Sequence, residues 1–384
     1  MDGGLRTSAT PNVMCMYWGR RGALTRFSLD FAREVRAQPA SSITVSVSRQ
    51  CDTYDQFKEF GASLFPVSTF RTDMGALGRA WSLPSLCSAL RKRLHDDNTR
   101  AVIDLMPHVW SPIVAPVVKA AGAVYVPIVH DADPHPGDIT SLAKGWMDKS
   151  MDHADLVLTL SGAVAGRLEA LGRISRQKIV TLFHPELSYS APISREAPTG
   201  RPARLLFMGR IMDYKGLPLF LDAMEILKTN GVPIEVGVFG EGRLGSCASR
   251  LHALGAEVVN RWLADTEISE IMSRFDVMVL SHVEASQSGV AAAALGAGMP
   301  VVATPVGGLI EQILDGRTGV VALRADAAAL SEALEDLLLN PVLYNSICAN
   351  IAATRETRSM GRFAKECIAH LLRCSAESNA APGN

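Results

Sequence analysis

Short β-branched runs alternate with longer stretches of helical period along most of this chain. Apolar runs at 13–17, 43–48, 101–105, 124–128, 156–160 and 179–182 are rich in valine and isoleucine, and each ends near polar or helix-starting residues. A helical period at about 25–36 follows the first run. Continuous rather than alternating hydrophobicity suits strands buried on both faces, so the pattern predicts a parallel sheet covered by helices. Between 188 and 203 the text SYSAPISREAPTGRPA carries three prolines, a glycine and no apolar period, which predicts a linker. A second series then begins, with strands at 205–208, 235–239, 277–280, 301–304 and 319–322. Helical segments at about 217–229, 266–274, 288–297, 308–314, 327–339 and 358–373 separate and follow them.

The expected organisation is an α/β domain at 1–187, a linker at 188–203, a second α/β domain at 204–357, a helix at 358–375 that crosses back to the first domain, and a flexible tail at 376–384. Two such halves facing each other leave a cleft, and in these sheets ligands bind outside the carboxyl ends of the strands.

Composition narrows the function. Thirty-eight Lys and Arg against 39 Asp and Glu give a formal charge of −1, so no chain-wide basic field exists to hold nucleic acid. With 48% apolar and 20% charged residues, burial can offset the ordering entropy, which excludes a mostly disordered protein. The seven cysteines are scattered without a close pair, which argues against a zinc or redox motif and reads as buried thiols in a reducing compartment. No charged segment followed by an apolar run opens the chain. The long apolar stretch at 113–129 is broken by Pro116, Lys119, Gly122 and Pro127, unlike a membrane span. The expected location is cytoplasmic.

Two segments carry chemistry. Leu-Leu-Phe-Met-Gly-Arg-Ile-Met-Asp-Tyr-Lys-Gly at 205–216 ends an apolar strand at Gly209 and places Arg210 and Lys215 at its carboxyl end. A fixed cation about 4 Å from a phosphate oxygen is worth roughly 4 kcal/mol at an effective dielectric of about 20, so two suit a departing diphosphate. The plainer reading is a solvated basic loop. Glu-Ala-Ser-Gln-Ser-Gly-Val at 284–290 opens an alanine-rich helix with small residues, presenting backbone N–H groups and a positive dipole end to an anion. The plainer reading there is a strand-to-helix connection.

Taken together, the residues resemble the nucleotide-sugar-binding half of a family 4 glycosyltransferase of the two-domain GT-B type, in its Gln-Ser-Gly variant. The resemblance rests on Gly-Arg…Lys-Gly at 209–216, Phe-Gly-Glu-Gly at 239–242, the Glu284 loop, Gly-Met-Pro at 298–300, Val-Gly-Gly-Leu-Ile-Glu at 306–311 and Gly-Arg-Thr-Gly at 316–319. The first half matches more loosely, through Trp-Gly-Arg-Arg-Gly at 18–22 and Val-His-Asp at 129–131.

The resemblance implies two Rossmann-like domains around a cleft. It also implies retaining transfer of a hexose-type sugar from a nucleoside diphosphate to a glycan or lipid-linked glycan, without metal or other cofactor. Arg210, Lys215, His130 and Glu284 would be catalytic. Gly209, Gly240, Glu241, Arg243, Arg261, Ser288, Gly289 and Val290 would bind the donor, and Gly19, Arg20, Arg21 and Gly22 would form the acceptor-side loop. The family's second glutamate falls on Ala292 or Ala293, so the ribose contact must be lost or supplied elsewhere.

Other readings stay open. His130 can cap local backbone instead, and His184 reads as structural. The run His-Asp-Ala-Asp-Pro-His at 130–135 invites a metal, a role the two cations already fill. Leu86, Leu90 and Leu94 beside Arg91, Lys92 and Arg93 make an amphipathic helix that either rests on an anionic membrane face or buries its leucines in the core. A sugar-nucleotide epimerase of the same architecture and a non-catalytic nucleotide-sugar-binding subunit are the rival functions.

Overall fold

The computed structural model describes residues 12–39, 42–71, 75, 78–133 and 141–380. The first domain holds β1 (Asn12–Tyr17), β2 (Ser42–Ser48), β3 (Leu64–Val67), β4 (Thr99–Met106), β5 (Val124–Val129), β6 (Val157–Thr159) and β7 (Ile179–Thr181). They pair in parallel in the order β3-β2-β1-β4-β5-β6-β7. The second holds β8 (Ala203–Met208), β9 (Ile234–Phe239), β10 (Glu257–Val259), β11 (Val277–Leu280), β12 (Val301–Ala303) and β13 (Gly319–Val321), parallel in the order β10-β9-β8-β11-β12-β13. Strand order reverses beside β1 and beside β8, which marks the crevice where such sheets take ligands. This is the two-domain, Rossmann-like GT-B fold.

The central strands β1 and β5 are buried along their whole length, as their unbroken apolar runs require. Two edge strands escape the sequence pattern. β3 contains Pro66, tolerated because an edge strand can spare one ladder donor. β10 has three residues, two of them exposed, and so carries no apolar run. The apolar stretch at 113–129 divides into helix Ser111–Ala120 and β5. Among the described residues no helix is long and apolar enough to cross a membrane.

Residues 188–203 lie along the second domain. Ile193 N–H donates to Ala297 O (3.2 Å), and the Arg195 guanidinium donates to Met272 O (2.6 Å) and Phe275 O (2.5 Å). The last helix, Met360–Ala380, packs on helix Ala23–Ala37 and on β4 and β5. Phe363 meets Phe27 and Phe31 there at 5.5 and 5.8 Å between ring centroids. Where the chain crosses at this junction, buried Glu186 is paired with Arg358 (2.6 Å) and Arg355 (3.3 Å). The helix runs beyond 376, where the sequence predicts a flexible tail, because Ala-Glu-Ser-Asn-Ala at 376–380 contains no glycine or proline to end it. Residues 381–384 lie outside the described residues.

Helix Leu83–Asp96 spends Leu90 and Leu94 in the first domain's core, with Leu86 partly buried beside them. Arg91 and Lys92 are exposed on its other side.

Candidate functional site

The floor of the site is two glycines at the ends of adjacent strands. Gly209 follows β8 at φ +110° and Gly240 follows β9 at φ +147°. Gly209 N–H donates to Phe239 O (3.0 Å), and a Cβ on Gly240 would fall 1.9 Å from Gly209 O. A side chain on Gly240 would separate the strand ends, and one on Gly209 would strain its positive φ and press on Val290.

Lys215 is held above this floor by the segment that follows β11. Ser281 Oγ lies 3.1 Å from Lys215 O and 3.0 Å from Gly216 O and donates to them, while Val283 N–H donates to Tyr214 O (2.9 Å). Gly216, at φ +69°, opens helix Leu217–Thr229, and a Cβ there would lie 2.0 Å from Ser281 O. The Lys215 side chain is 8% exposed, and its Nζ lies 2.7 Å from His282 Nε2. Burial, aided by the Arg210 cation, pushes the Lys215 pKa down to about 7 against the opposing pull of Asp131. Arg210 itself is exposed. Asp131 belongs to the first domain, so its field on Lys215 already spans the cleft.

A second positive feature adjoins these cations. Ser288 caps helix Gly289–Gly296 by accepting from Ala291 N–H (3.3 Å). Its own N–H donates to Gln312 Oε1 (2.7 Å), and Gln312 Nε2 donates to Ser288 O (3.2 Å). The Ser288 amide, expected among the donor ligands, is thus already committed, and the first two helical amides, those of Gly289 and Val290, are the ones left to an anion. A Cβ placed on Gly289 would sit 2.7 Å from Ala23 Cβ, and one on Gly209 would sit 3.1 Å from Val290 Cγ2. Ala23 starts helix Ala23–Ala37, whose N-cap Gly22 has no side chain to satisfy the first turn. Two helix N-termini, one from each domain, therefore meet beside Gly209, and both dipoles favour negative charge at that point.

His130 follows β5 and is buried against Phe27, at 5.9 Å between ring centroids. Its Nε2 lies 2.8 Å from Leu105 O and its Nδ1 lies 2.9 Å from Gln287 Nε2. A carbonyl oxygen only accepts, so the proton sits on Nε2 and Nδ1 accepts from the Gln287 amide. Burial also lowers its pKa, which favours this neutral form. Both nitrogens are therefore engaged, and the histidine meets the second domain through Gln287. Gln287 Oε1 is buried without a hydrogen-bond partner. His184 is bonded to Pro185 O (2.9 Å) and pushed down to about 4 by burial.

The loop at 19–22 divides its roles. Gly19 is wedged between Tyr17 and Met106, where a Cβ would approach within 2.6 Å and 2.7 Å. Arg20 turns into its own domain and donates to Arg71 O (2.7 Å). Arg21 reaches across to Glu241 (3.1 Å) and stacks over the Trp262 ring at 4.4 Å. Arg261 is occupied by Glu267 through two hydrogen bonds of 3.0 and 2.5 Å, and Arg243 is exposed. Glu284 stands on the exposed turn beside Val283. Ala292 and Ala293, at 2% and 3% exposed, face protein.

Of the 130–135 run, Pro134 and His135 lie outside the described residues. Asp133 accepts from Arg167 Nε (2.5 Å), and among the described residues no three His, Cys, Asp or Glu side chains gather as a ligand set. Two open surface grooves of about 340 and 570 Å³ lie elsewhere, along helices Leu217–Thr229 and Ala327–Leu338. Acidic residues line both, Asp222 and Glu225 (each paired with Arg250) in one and Glu332, Glu335 and Asp336 in the other, which suits neither to an anion.

Three residues that sequence reasoning left without a role tie the site together: His282 to Lys215, Gln287 to His130, and Glu311 to the first domain. Glu311 belongs to a quoted motif, yet which surface its carboxylate meets depends on how the domains face each other. His282 and Gln287 stand in or beside the loop at 284–290 and gave no spacing signal of their own.

Residues 202–340 match the family described as glycosyl transferases group 1. The second domain is a group 1 glycosyltransferase domain. This domain carries most of the site above: Gly209, Arg210, Lys215, His282 and the loop at 284–290. A Mycobacterium tuberculosis glycogen synthase is 26% identical over 291 residues, 71% of this chain and 69% of that protein. An Arthrobacter D-inositol 3-phosphate glycosyltransferase is 32% identical over 170 residues, 42% of this chain and 40% of that protein. The solved structure of Anabaena HepE in complex with UDP superposes with a TM-score of 0.71 at 15% identity, covering 94% of this chain and 99% of that one. The glycosyltransferase domain thus sits in a GT-B frame that extends over nearly the whole chain.

Proposed function

We propose that the protein transfers a hexose-type sugar from a nucleoside-diphosphate donor to a glycan or lipid-linked glycan acceptor, with retention of the anomeric configuration and without a metal. The observation that carries this reading is Lys215, buried near Arg210 where two helix N-termini converge. Lys215 and the helix amides are fixed before the ligand arrives, so they stabilise charge as it develops on the departing diphosphate without reorganisation. The match to group 1 glycosyltransferases supports the class of reaction, and the UDP held by HepE supports a nucleotide donor.

In this reading Arg210, Lys215 and the amides of Gly289 and Val290 receive the diphosphate. Gly240 and Glu241, with Arg243 and Arg261 beyond, border the nucleoside, and Glu284 faces donor hydroxyls from the exposed turn. His130 stays neutral and orients Gln287, whose buried Oε1 accepts a hydroxyl of the bound sugar. No carboxylate stands ready as a nucleophile on the quoted motifs. Retention then follows a same-face route, in which a donor phosphate oxygen takes the acceptor's proton while the bond from the sugar to the leaving phosphate breaks. The protein's part is orientation and charge stabilisation.

A thermal-shift series with UDP, GDP, ADP, CDP and dTDP and their sugars tests donor binding, because a ligand that binds only the folded state raises the melting temperature with its concentration. The responding sugar nucleotide, incubated with glycan acceptors, should yield a product whose anomeric coupling by NMR matches the donor's. Release of free epimerised sugar nucleotide without acceptor would favour the epimerase reading. Binding without turnover across the acceptors would favour the non-catalytic subunit.

A further inference from the structure

We infer that His282 is a positioning residue for Lys215, fixing the direction in which the lysine ammonium meets the donor's diphosphate. The inference rests on the donor reading above and adds to it a residue outside the quoted motifs.

Three consecutive residues after β11 grip three consecutive residues after β8. Ser281 Oγ holds the carbonyls of Lys215 and Gly216, Val283 N–H holds Tyr214 O, and His282 Nε2 lies 2.7 Å from Lys215 Nζ. The first two bonds fix the backbone. Only the third acts on the part of the lysine that carries charge. A lysine side chain has four rotatable bonds, so a fixed backbone alone leaves its tip to explore several positions. The imidazole removes that freedom: with Lys215 as ammonium, Nζ donates one of its three protons to Nε2 and two remain for a ligand.

The geometry also excludes a protonated Nε2 facing an ammonium, since both atoms would then be donors at hydrogen-bonding distance. His282 therefore offers an acceptor without a negative charge. A carboxylate at the same place would hold Nζ as well, and would neutralise the charge that the diphosphate needs. The backbone of His282 is itself held, because Thr304 Oγ1 donates to His282 O (2.5 Å) from the end of β12. The imidazole is 2% exposed, with the Tyr214 ring 6.3 Å away between centroids. A buried, backbone-anchored acceptor of this kind sets a direction, and a solvated one would not.

The test compares wild type, His282→Leu and His282→Gln. The glutamine places an amide oxygen close to where Nε2 stands, and the leucine fills the space without an acceptor. Each protein is titrated by calorimetry with the nucleoside diphosphate that wild type binds, from the series UDP, GDP, ADP, CDP and dTDP, and with the matching nucleoside. Thermal melting is recorded for each. The expected result is that His282→Leu weakens the diphosphate about tenfold or more and leaves the nucleoside within about twofold, while His282→Gln recovers most of the loss.

Equal losses for diphosphate and nucleoside would reduce His282 to a packing residue and overturn the inference, as would a leucine variant that binds the diphosphate like wild type. If the leucine variant does not fold, the glutamine variant decides: retained discrimination supports the inference and lost discrimination in a folded protein overturns it. Absence of binding by wild type to all five diphosphates would instead defeat the donor reading, and the inference with it.

Discussion

Glu311 of the second domain caps the N-terminus of a first-domain helix at Gly162. Its two carboxylate oxygens accept from Gly162 N–H (2.6 Å) and Ala163 N–H (2.9 Å), at the start of helix Gly162–Ala170. Beside it Ser161 Oγ donates to Ser286 O (3.0 Å), in the loop that leads into helix Gly289–Gly296. A cap within one helix is worth about 1 kcal/mol, and here the same interaction is made between domains. Its loss should appear as a looser domain arrangement more than as unfolding. Glu311→Ala is expected to raise the radius of gyration in solution scattering and to lower the melting temperature by only a few degrees, on the order of 1 kcal/mol. Unchanged scattering and donor affinity would show that this contact does not govern domain closure.

A second contact between the domains pairs Arg21 with Glu241 and lays the guanidinium over Trp262. Both charged side chains are well exposed, at 38% and 47%, so the ion pair contributes on the order of 0–1 kcal/mol to stability. Its place is at the entrance of the Gly209–Gly240 floor. Arg21→Ala should leave the melting temperature within about 1 °C and change the donor's on- and off-rates together, as stopped-flow binding would record. The double reversal Arg21→Glu with Glu241→Arg should return the rates toward wild type. A single variant with unaltered rates would place this contact outside the donor's path.

The residues that could be read from sequence were those whose chemistry is local. Gly209 and Gly240 mark strand ends and Gly216 a helix start, because their positive φ favours glycine, and Lys215 sits at a fixed distance along the chain from the first. The strands buried on both faces were legible for the same reason. The edge strands β3 and β10 were not, since Pro66 interrupts one and solvent exposure removes the apolar pattern of the other. Contacts across the cleft were equally hidden. Nothing in the text joins Gln287 to His130 or Glu311 to Gly162, because those pairs are set by how two domains face each other. Ser288 shows a further kind of limit: the helix start was visible, but Gln312 takes its amide from 24 positions away.

Lys215 should write itself into the pH profile. Its pKa is depressed to about 7, so the ammonium is fully present below that pH in the empty site and is lost as pH rises through it. The groups facing it are Arg210, which lowers the pKa, Asp131, which raises it, and the rings of His282 and Tyr214. The profile of kcat/KM reports the free enzyme and is expected to fall about tenfold per unit above pH 7. A bound diphosphate raises the lysine pKa, so kcat at saturating donor should hold to higher pH. Lys215→Ala should lower turnover far more than it disturbs folding. Lys215→Arg, which keeps its charge, should remove the alkaline limb at a reduced rate. Parallel profiles for wild type and the arginine variant would assign the limb to another group.

The alanines at 292 and 293 allow a test of whether a missing carboxylate is a simple vacancy. Leu187 N–H donates to Ala292 O (3.2 Å), and a Cβ on Gly296 would lie 2.3 Å from Leu187 O, so the chain leaving the first domain lies against this helix. With residues 291–296 all buried, a glutamate at either place would bring an unpaired charge into packed surroundings, at a cost of about 3–5 kcal/mol. Ala292→Glu and Ala293→Glu are therefore expected to lower the melting temperature sharply without tightening nucleotide binding. Ala292→Gly should cost about 1 kcal/mol through helix propensity, and somewhat more through the loss of a buried methyl. A glutamate variant that melts like wild type and binds the nucleoside diphosphate more tightly would show that the helix presents this face to the ribose after all. If both variants are instead destabilised, the small side chains belong to the packing that lets the Leu187 segment and the two helix N-termini approach so closely, and the ribose is held by other groups of the cleft.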